Sequence, residues 1–194
     1  MKIAITGHTK GIGAVTVELL EAAGHEVVGF SRTNGYNVMR PKNIVKDAID
    51  CDVFINNAYA NPGQFELLRL LIDSNIHSII MNVGTNITDV AQEVLEADID
   101  WQEQSQSSRS AYPIQKKLQN DYIRTKRTQS KGKSILLTVK PGWLNTSLVN
   151  NVPSSRYVDL RHVCKAIIFQ IEMATQSVWI PDINVLPLLS EKNS

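Results

Sequence analysis

Lys2-Ile3-Ala4-Ile5-Thr6-Gly7-His8-Thr9-Lys10-Gly11-Ile12-Gly13 is the stretch on which the reading of this chain turns. Lys2 to Thr6 is a short apolar run of the kind that forms a buried strand, and Ala14 to Ala23 carries apolar residues at helical spacing. Gly7, Gly11 and Gly13 lie between the two. A glycine turn between strand and helix lets backbone N–H groups approach a phosphate, and the helix start adds a favourable dipole. Gly7, His8, Thr9, Lys10, Gly11, Ile12 and Gly13 are therefore read as a nucleotide-binding turn, with His8 near the phosphates.

Strand-like and helical patterns alternate outward from that turn, which predicts an α/β fold: a doubly wound, mostly parallel sheet with helices on both faces. Expected strands follow at Glu26–Phe30, Tyr36–Val38, Asp52–Asn56, Ser78–Val83, Ser134–Val139 and Ser177–Ile180. Helices are expected from Pro41 to about Ile49, Pro62 to Asp73, Val90 to Ala97, Ala111 to Thr128 and Val158 to Thr175. Pro113 sets the expected start of the long helix near Tyr112, because proline suits a first turn. No repeat or linker interrupts residues 1–194, so one domain is expected.

Composition narrows the functional class. The chain has 194 residues, 43% of them hydrophobic, enough for a substantial core, and a formal net charge of +1. That balance argues against a nucleic-acid binder, which would show a basic excess or stripe. The cluster Lys116, Lys117, Arg124, Lys126 and Arg127 is read as a solvated helix face. Cys51 and Cys164 sit in apolar segments without metal-ligand spacing and are read as buried free thiols of a reducing compartment. Met1 leads straight into the first strand, and no apolar run approaches the ~20 residues of a membrane span. A cytoplasmic protein without membrane or nucleic-acid partners is expected. No metal is expected, because His25, His77 and His162 have no partners at recognisable spacing.

Tyr112-x-x-x-Lys116 puts a phenol and an amine on one helical face. An ammonium near a phenol favours the phenolate, lowering the tyrosine pKa from about 10 toward neutrality. A tyrosine so tuned can give a proton to a carbonyl oxygen or take one from an alcohol.

Four stretches together resemble the short-chain dehydrogenase/reductase family. Thr6-Gly7-x-x-x-Gly11-Ile12-Gly13 is similar to its cofactor signature, and Asn56-Asn57-Ala58-Tyr59 to its Asn-Asn-Ala-Gly. Tyr112-x-x-x-Lys116 matches its catalytic pair, and Pro141-Gly142-Trp143-Leu144-Asn145-Thr146 resembles its cofactor loop. The resemblance implies a compact Rossmann-fold oxidoreductase moving hydride between nicotinamide and a small carbonyl or secondary alcohol. It implies that Tyr112, Lys116, Asn57, Ala58, Tyr59, Pro141, Gly142, Trp143 and Thr146 meet the cofactor, with Lys116 on the nicotinamide ribose. Asn37-Val38 resembles the family's Asp-Val pair near the adenine.

The match departs from the family in the substrate half. The catalytic serine setting reads Asn82-Val83-Gly84-Thr85, so Thr85 takes the serine's place, with Ser107, Ser108 and Ser110 as alternatives. Between Phe65 and Ile72 nothing corresponds to the family's relay asparagine. The segments around the fourth helix are short, although relatives commonly pair through helices four and five as homodimers or homotetramers. At the end of the second strand stand Ser31-Arg32-Thr33 rather than a carboxylate. An Arg there accommodates a 2′-phosphate, which makes NADP(H) the preferred cofactor, with Ser31 and Lys10 assisting and NAD(H) second. Two other readings stand beside the oxidoreductase: a catalytically impaired NADP(H)-binding sensor or scaffold, and a nucleotide-sugar epimerase or dehydratase. Trp143 is expected to line the pocket and Trp179 to lie in the core of the last strand.

Overall fold

In the computed structural model residues 1–86, 112–129, 134–144 and 157–187 are described in full, and 106–111 by their backbone. Six strands form one parallel sheet in the order β2-β1-β3-β4-β5-β8: β1 (Lys2–Thr6), β2 (Glu26–Phe30), β3 (Val53–Asn56), β4 (Ile79–Val83), β5 (Ile135–Pro141) and β8 (Asp182–Val185). The intervening β6 (Trp143–Leu144) and β7 (Tyr157–Val158) pair only with each other, in a short parallel ladder. The helices are α1 (Gly11–Ala22), α2 (Pro41–Asp47), α3 (Gly63–Ser74), α4 (Gln106–Gln129) and α5 (Leu160–Thr175).

Alternation along the strands builds the layers. Ile3 and Ile5 of β1 face a cluster with Val53, Ile55, Met81 and Leu137, closed by Leu20 of α1 and by Val163, Ile167 and Ile171 of α5. Ala4 faces the other way, with Phe54, Ile80 and Leu136, under Ile44 of α2, Leu67, Leu68 and Leu71 of α3, and Ile123 of α4. Strands buried on both faces read as continuous apolar runs, which is why they were visible in the sequence. Strand order reverses between β1 and β3, and a crevice at such a switch point is where open α/β sheets bind ligands.

The fold departs from the expected elements in several places. Tyr36–Val38 is not a strand: Gly35 turns with φ +90°, the Asn37 carboxamide oxygen accepts from the Met39 N–H, and the chain enters α2 at Pro41. The last strand is Asp182–Val185 rather than Ser177–Ile180. Ser177 adopts φ +63°, and sheet bonding resumes only where Thr138 N–H donates to the Pro181 carbonyl. Trp179 is consequently outside the strand and 56% exposed, not core. Pro113 lies inside α4 rather than in its first turn, since the helix starts at Gln106.

The basic cluster is not one solvated face. Lys116 is buried, and Arg127 donates to the carbonyls of Leu136 and Pro181 and pairs with Asp182, fastening α4 to β5 and β8. Cys51 and Cys164 are buried free thiols. Among the described residues no helix is long and apolar enough to cross a membrane, and no cluster of His, Cys, Asp or Glu could hold a metal. The expected helix Val90–Ala97 and the loop carrying Thr146 lie outside the described residues.

Candidate active site

The carboxyl ends of β1, β3, β4 and β5, with α4 beside β4, bring the described parts of the four sequence motifs toward one end of the sheet. Gly7 and Gly11 adopt φ +71° and +55°, values that glycine takes without steric cost. A Cβ on Gly13 would fall 2.1 Å from the Gly7 carbonyl oxygen, so only glycine lets α1 close against the turn. A Cβ on Gly11 would meet nothing within 4 Å, so this side of the turn is open. Lys10, the N-cap of α1, makes no side-chain cap bond, and the first turn holds no acidic residue. The leading N–H groups of α1 are thus left for an anion.

Asn57 holds this turn from the neighbouring strand. Its side-chain amide donates to the Thr6 carbonyl at 2.9 Å, while the Asn57 and Ala58 N–H groups donate to the Thr6 hydroxyl at 3.0 and 2.9 Å. His8 lies over Gly29 of β2, where a Cβ would come 2.4 Å from the imidazole. Its Nδ1 is buried without a partner among the described residues. Thr9 and Ile12 flank this loop, Thr9 exposed and Ile12 packed on the core.

At the end of β2 the Ser31 hydroxyl is engaged locally, 2.6 Å from that of Thr33, and caps a turn over Arg32–Asn34. Arg32 and Lys10 are exposed, and neither side chain has a partner among the described residues. Asn37, one turn further, spends its carboxamide oxygen on the Met39 N–H at 2.9 Å.

Tyr112, Thr85 and Lys116 converge beside β4. The Thr85 hydroxyl is hydrogen-bonded to the Tyr112 phenol, and the Tyr59 ring meets Tyr112 edge-on at 4.8 Å between centroids. Lys116 Nζ lies 5.6 Å from the centroids of both rings. It donates to Gln64 Oε1 and to the Val83 carbonyl, each at 2.8 Å. The side chains of Ser107, Ser108 and Ser110 lie outside what is described.

The electrostatics differ from the expectation drawn from spacing. Burial pushes the Tyr112 phenol up to about 12, with the Thr85 hydrogen bond pulling it down and Tyr59 adding to the rise. Burial brings Lys116 down to about 7. Loss of solvation therefore outweighs any attraction between amine and phenol, and in the free protein Tyr112 holds its proton at neutral pH. Burial also raises the Tyr59 phenol.

Gln64 is the site residue that the sequence reading missed. It occupies the second position of α3, one residue before the stretch searched for a relay amide. A signal existed: Gln64 shares a helical stripe with Leu67, Leu68 and Leu71, all fully buried, so a polar side chain there had to meet a partner.

After β5, Pro141 and Gly142 carry the chain past β8, where the Gly142 N–H donates to the Val185 carbonyl at 2.8 Å, and Trp143 begins β6. A cavity of about 380 Å³ lined by Arg127, Ile135, Val178 and Trp179 lies at the opposite end of β5, away from Tyr112 and Lys116.

No protein-family model matches the sequence, and no curated protein matches it significantly. Solved structures match nearly the whole chain. The 3-alpha-hydroxysteroid dehydrogenase from Pseudomonas sp. B-0831, complexed with NADH, is 20% identical over 95% of each chain with a TM-score of 0.72. Serine dehydrogenase from Escherichia coli is 15% identical, with 98% of this chain and 100% of that one covered and a TM-score of 0.69. Yeast methylglyoxal/isovaleraldehyde reductase, complexed with NADPH, is 14% identical over 96% of this chain and 78% of its own, with a TM-score of 0.65. The chain therefore has the Rossmann-type fold of these dehydrogenases and reductases, the fold expected from its resemblance to the short-chain dehydrogenase/reductase family. Nucleotide-sugar enzymes with the same fold are matched too, so the fold alone does not choose the reaction.

Proposed function

We propose that this chain is a short-chain dehydrogenase/reductase: an NADP(H)-dependent oxidoreductase acting on a small carbonyl or secondary alcohol. The observation that carries the reading is the hydrogen bond between the Thr85 and Tyr112 hydroxyls, with buried Lys116 against both tyrosine rings. A substrate oxygen beside those two hydroxyls would meet a hydrogen-bond donor and a proton donor together.

The dinucleotide, when bound, supplies or accepts the hydride. The residues around the turn fit such a group. The uncapped start of α1 and the open face at Gly11 suit its diphosphate, and the buried Nδ1 of His8 lacks a partner that a cofactor oxygen or hydroxyl would provide. Arg32, with Lys10, suits the 2′-phosphate of NADP(H). The local bonds of Ser31 and Asn37 favour a supporting role for both over direct contact.

In the reductive direction Tyr112 donates its proton to the carbonyl oxygen, and Thr85 orients that oxygen. Lys116 favours the phenolate left behind, at a distance where an ammonium attracts a ring. Tyr59 packs on Tyr112 and keeps water from its ring edge. Exposed Ile114 and Leu118, one turn apart on α4, support self-association of the chain as a homo-oligomer.

The test is NADPH oxidation across a panel of aldehydes and ketones with the wild-type chain and Tyr112→Phe. Turnover falling by at least about 100-fold, with NADPH affinity retained, is the expected result. A Tyr112→Phe variant of unchanged turnover would remove Tyr112 from the chemistry. NADPH binding without turnover by the wild-type chain would favour the sensor or scaffold instead.

A further inference from the structure

Behind Lys116 lies a chain of buried amides to which the fold-level likeness assigns nothing. Asn56 of β3, Gln64 of α3, Asn82 of β4 and Gln119 of α4 are each no more than 1% exposed. Asn56 Nδ2 donates to Asn82 Oδ1 at 3.1 Å, and Asn82 Nδ2 donates to Gln119 Oε1 at 3.5 Å. Gln119 Nε2 in turn donates to Gln64 Oε1 at 3.4 Å. Four strands and helices thus contribute to one polar layer under the site.

The orientation of Gln64 is fixed by what surrounds it. Its Nε2 faces the carbonyls of Asn56 at 3.1 Å and Val83 at 3.4 Å, which can only accept. The carboxamide oxygen must then point to Lys116 Nζ, at 2.8 Å. A flipped amide would set its oxygen against two carbonyls and its N–H groups against an amine. Gly63 lets α3 start this deep, since a Cβ there would come 2.8 Å from the Val38 backbone.

Among the described residues Lys116 is the one lysine, arginine or carboxylate buried as a whole residue, and no carboxylate contributes to its burial-driven shift. Among the described residues the titratable groups facing it are Tyr59, from the β3–α3 connection, and Tyr112 on its own helix. Among the described residues its support comes from two neutral oxygens, those of Gln64 and Val83, of which that of Gln64 belongs to a side chain.

We propose that Gln64 is a positioning residue that acts through Lys116: its oriented carboxamide oxygen fixes the amine beneath the two tyrosines and stabilises the ammonium form. Its catalytic consequence rests on the reading under Proposed function, but its effect on the Lys116 proton does not. Gln64 also links that proton to the amide layer. Among the side-chain bonds described, Gln119 and Asn82 connect to Lys116 through Gln64.

The experiment follows the Lys116 Cε resonance against pH in ligand-free, ¹³C-lysine-labelled protein, assigned with Lys116→Met, for wild type, Gln64→Glu and Gln64→Leu. Gln64→Glu puts a carboxylate at the amine and should raise the titration midpoint by about one pH unit or more, roughly a tenfold gain in proton affinity. Gln64→Leu removes an acceptor and should lower it. A purely structural Gln64 would not move the midpoint in opposite directions for the two variants. An unmoved midpoint in Gln64→Glu overturns the proposal, even if carbonyl reduction is found. Opposite shifts without any reductase activity uphold Gln64 and refute the proposed function. Should Gln64→Leu fail to fold, Gln64→Met, which keeps the side-chain length and removes the acceptor, takes its place beside Gln64→Glu.

Discussion

Arg32 stands where β2 ends, exposed and without a side-chain partner among the described residues, while Ser31 and Asn34 bond one another to shape the turn that presents it. A free guanidinium on a locally rigid turn suits a phosphate better than a ribose hydroxyl. Arg32→Ala should therefore weaken NADPH binding at least about tenfold and NADH binding little, read by fluorescence titration of both nucleotides. A parallel loss for the two would remove the 2′-phosphate role. Its place at the end of β2 was legible because position along a recognisable motif sufficed. Tyr112 and Lys116 were legible as neighbours, but not in their electrostatics: spacing gives proximity, whereas burial, which raises the Tyr112 phenol where a lowering was expected and lowers the Lys116 amine, comes from packing. Gln64 was hidden because its meaning lies in Lys116, fifty-two positions away.

Among the elements, the strands buried on both faces were readable and the edges were not. Val178, Trp179 and Ile180 look like a strand, but the left-handed Ser177 and the Arg127 bonds at Pro181 set pairing further along, over residues with weaker apolar character. Likewise the turn at Asn37 forms through a side-chain bond that competes with strand pairing. The start of β4 holds a further element-scale consequence. His77, 1% exposed and just before that strand, donates from Nδ1 to the Cys51 carbonyl at 2.8 Å, leaving Nε2 a buried acceptor without a partner among the described residues. Burial lowers its pKa, against the smaller raising effect of the Cys51 bond. Above the ordinary histidine pKa of about 6.5 both folded and unfolded chains are neutral here, so His77 contributes no pH dependence. As the pH falls below that value the unfolded chain takes up a proton first, and stability declines until the folded pKa is reached. Each unit of depression corresponds to about 1.4 kcal/mol. Urea unfolding between pH 8 and pH 5 should show this loss in the wild type and a smaller one in His77→Phe; equal slopes would show that His77 does not titrate differently on folding.

Across the whole molecule the sheet separates two tasks. The β1–β3 switch point carries the glycine turn, where residue type and conformation were legible because a strand–turn–helix with glycines has few solutions. The β4–α4 side carries Thr85, Tyr112, Lys116 and the amide layer, assembled from four elements and readable only once they pack. Both halves are needed for the account, since a nucleotide turn alone is shared by binders and by enzymes of several reactions. The direct measurement is transfer of label: the protein is incubated with NADPH deuterated at the transferable C4 position and a panel of carbonyl compounds, and products are read by mass spectrometry and NMR. Deuterium on the carbinol carbon of a product alcohol, absent with Tyr112→Phe, is the result predicted. NADPH bound but recovered with its deuterium intact, and no labelled alcohol from any carbonyl, would contradict it.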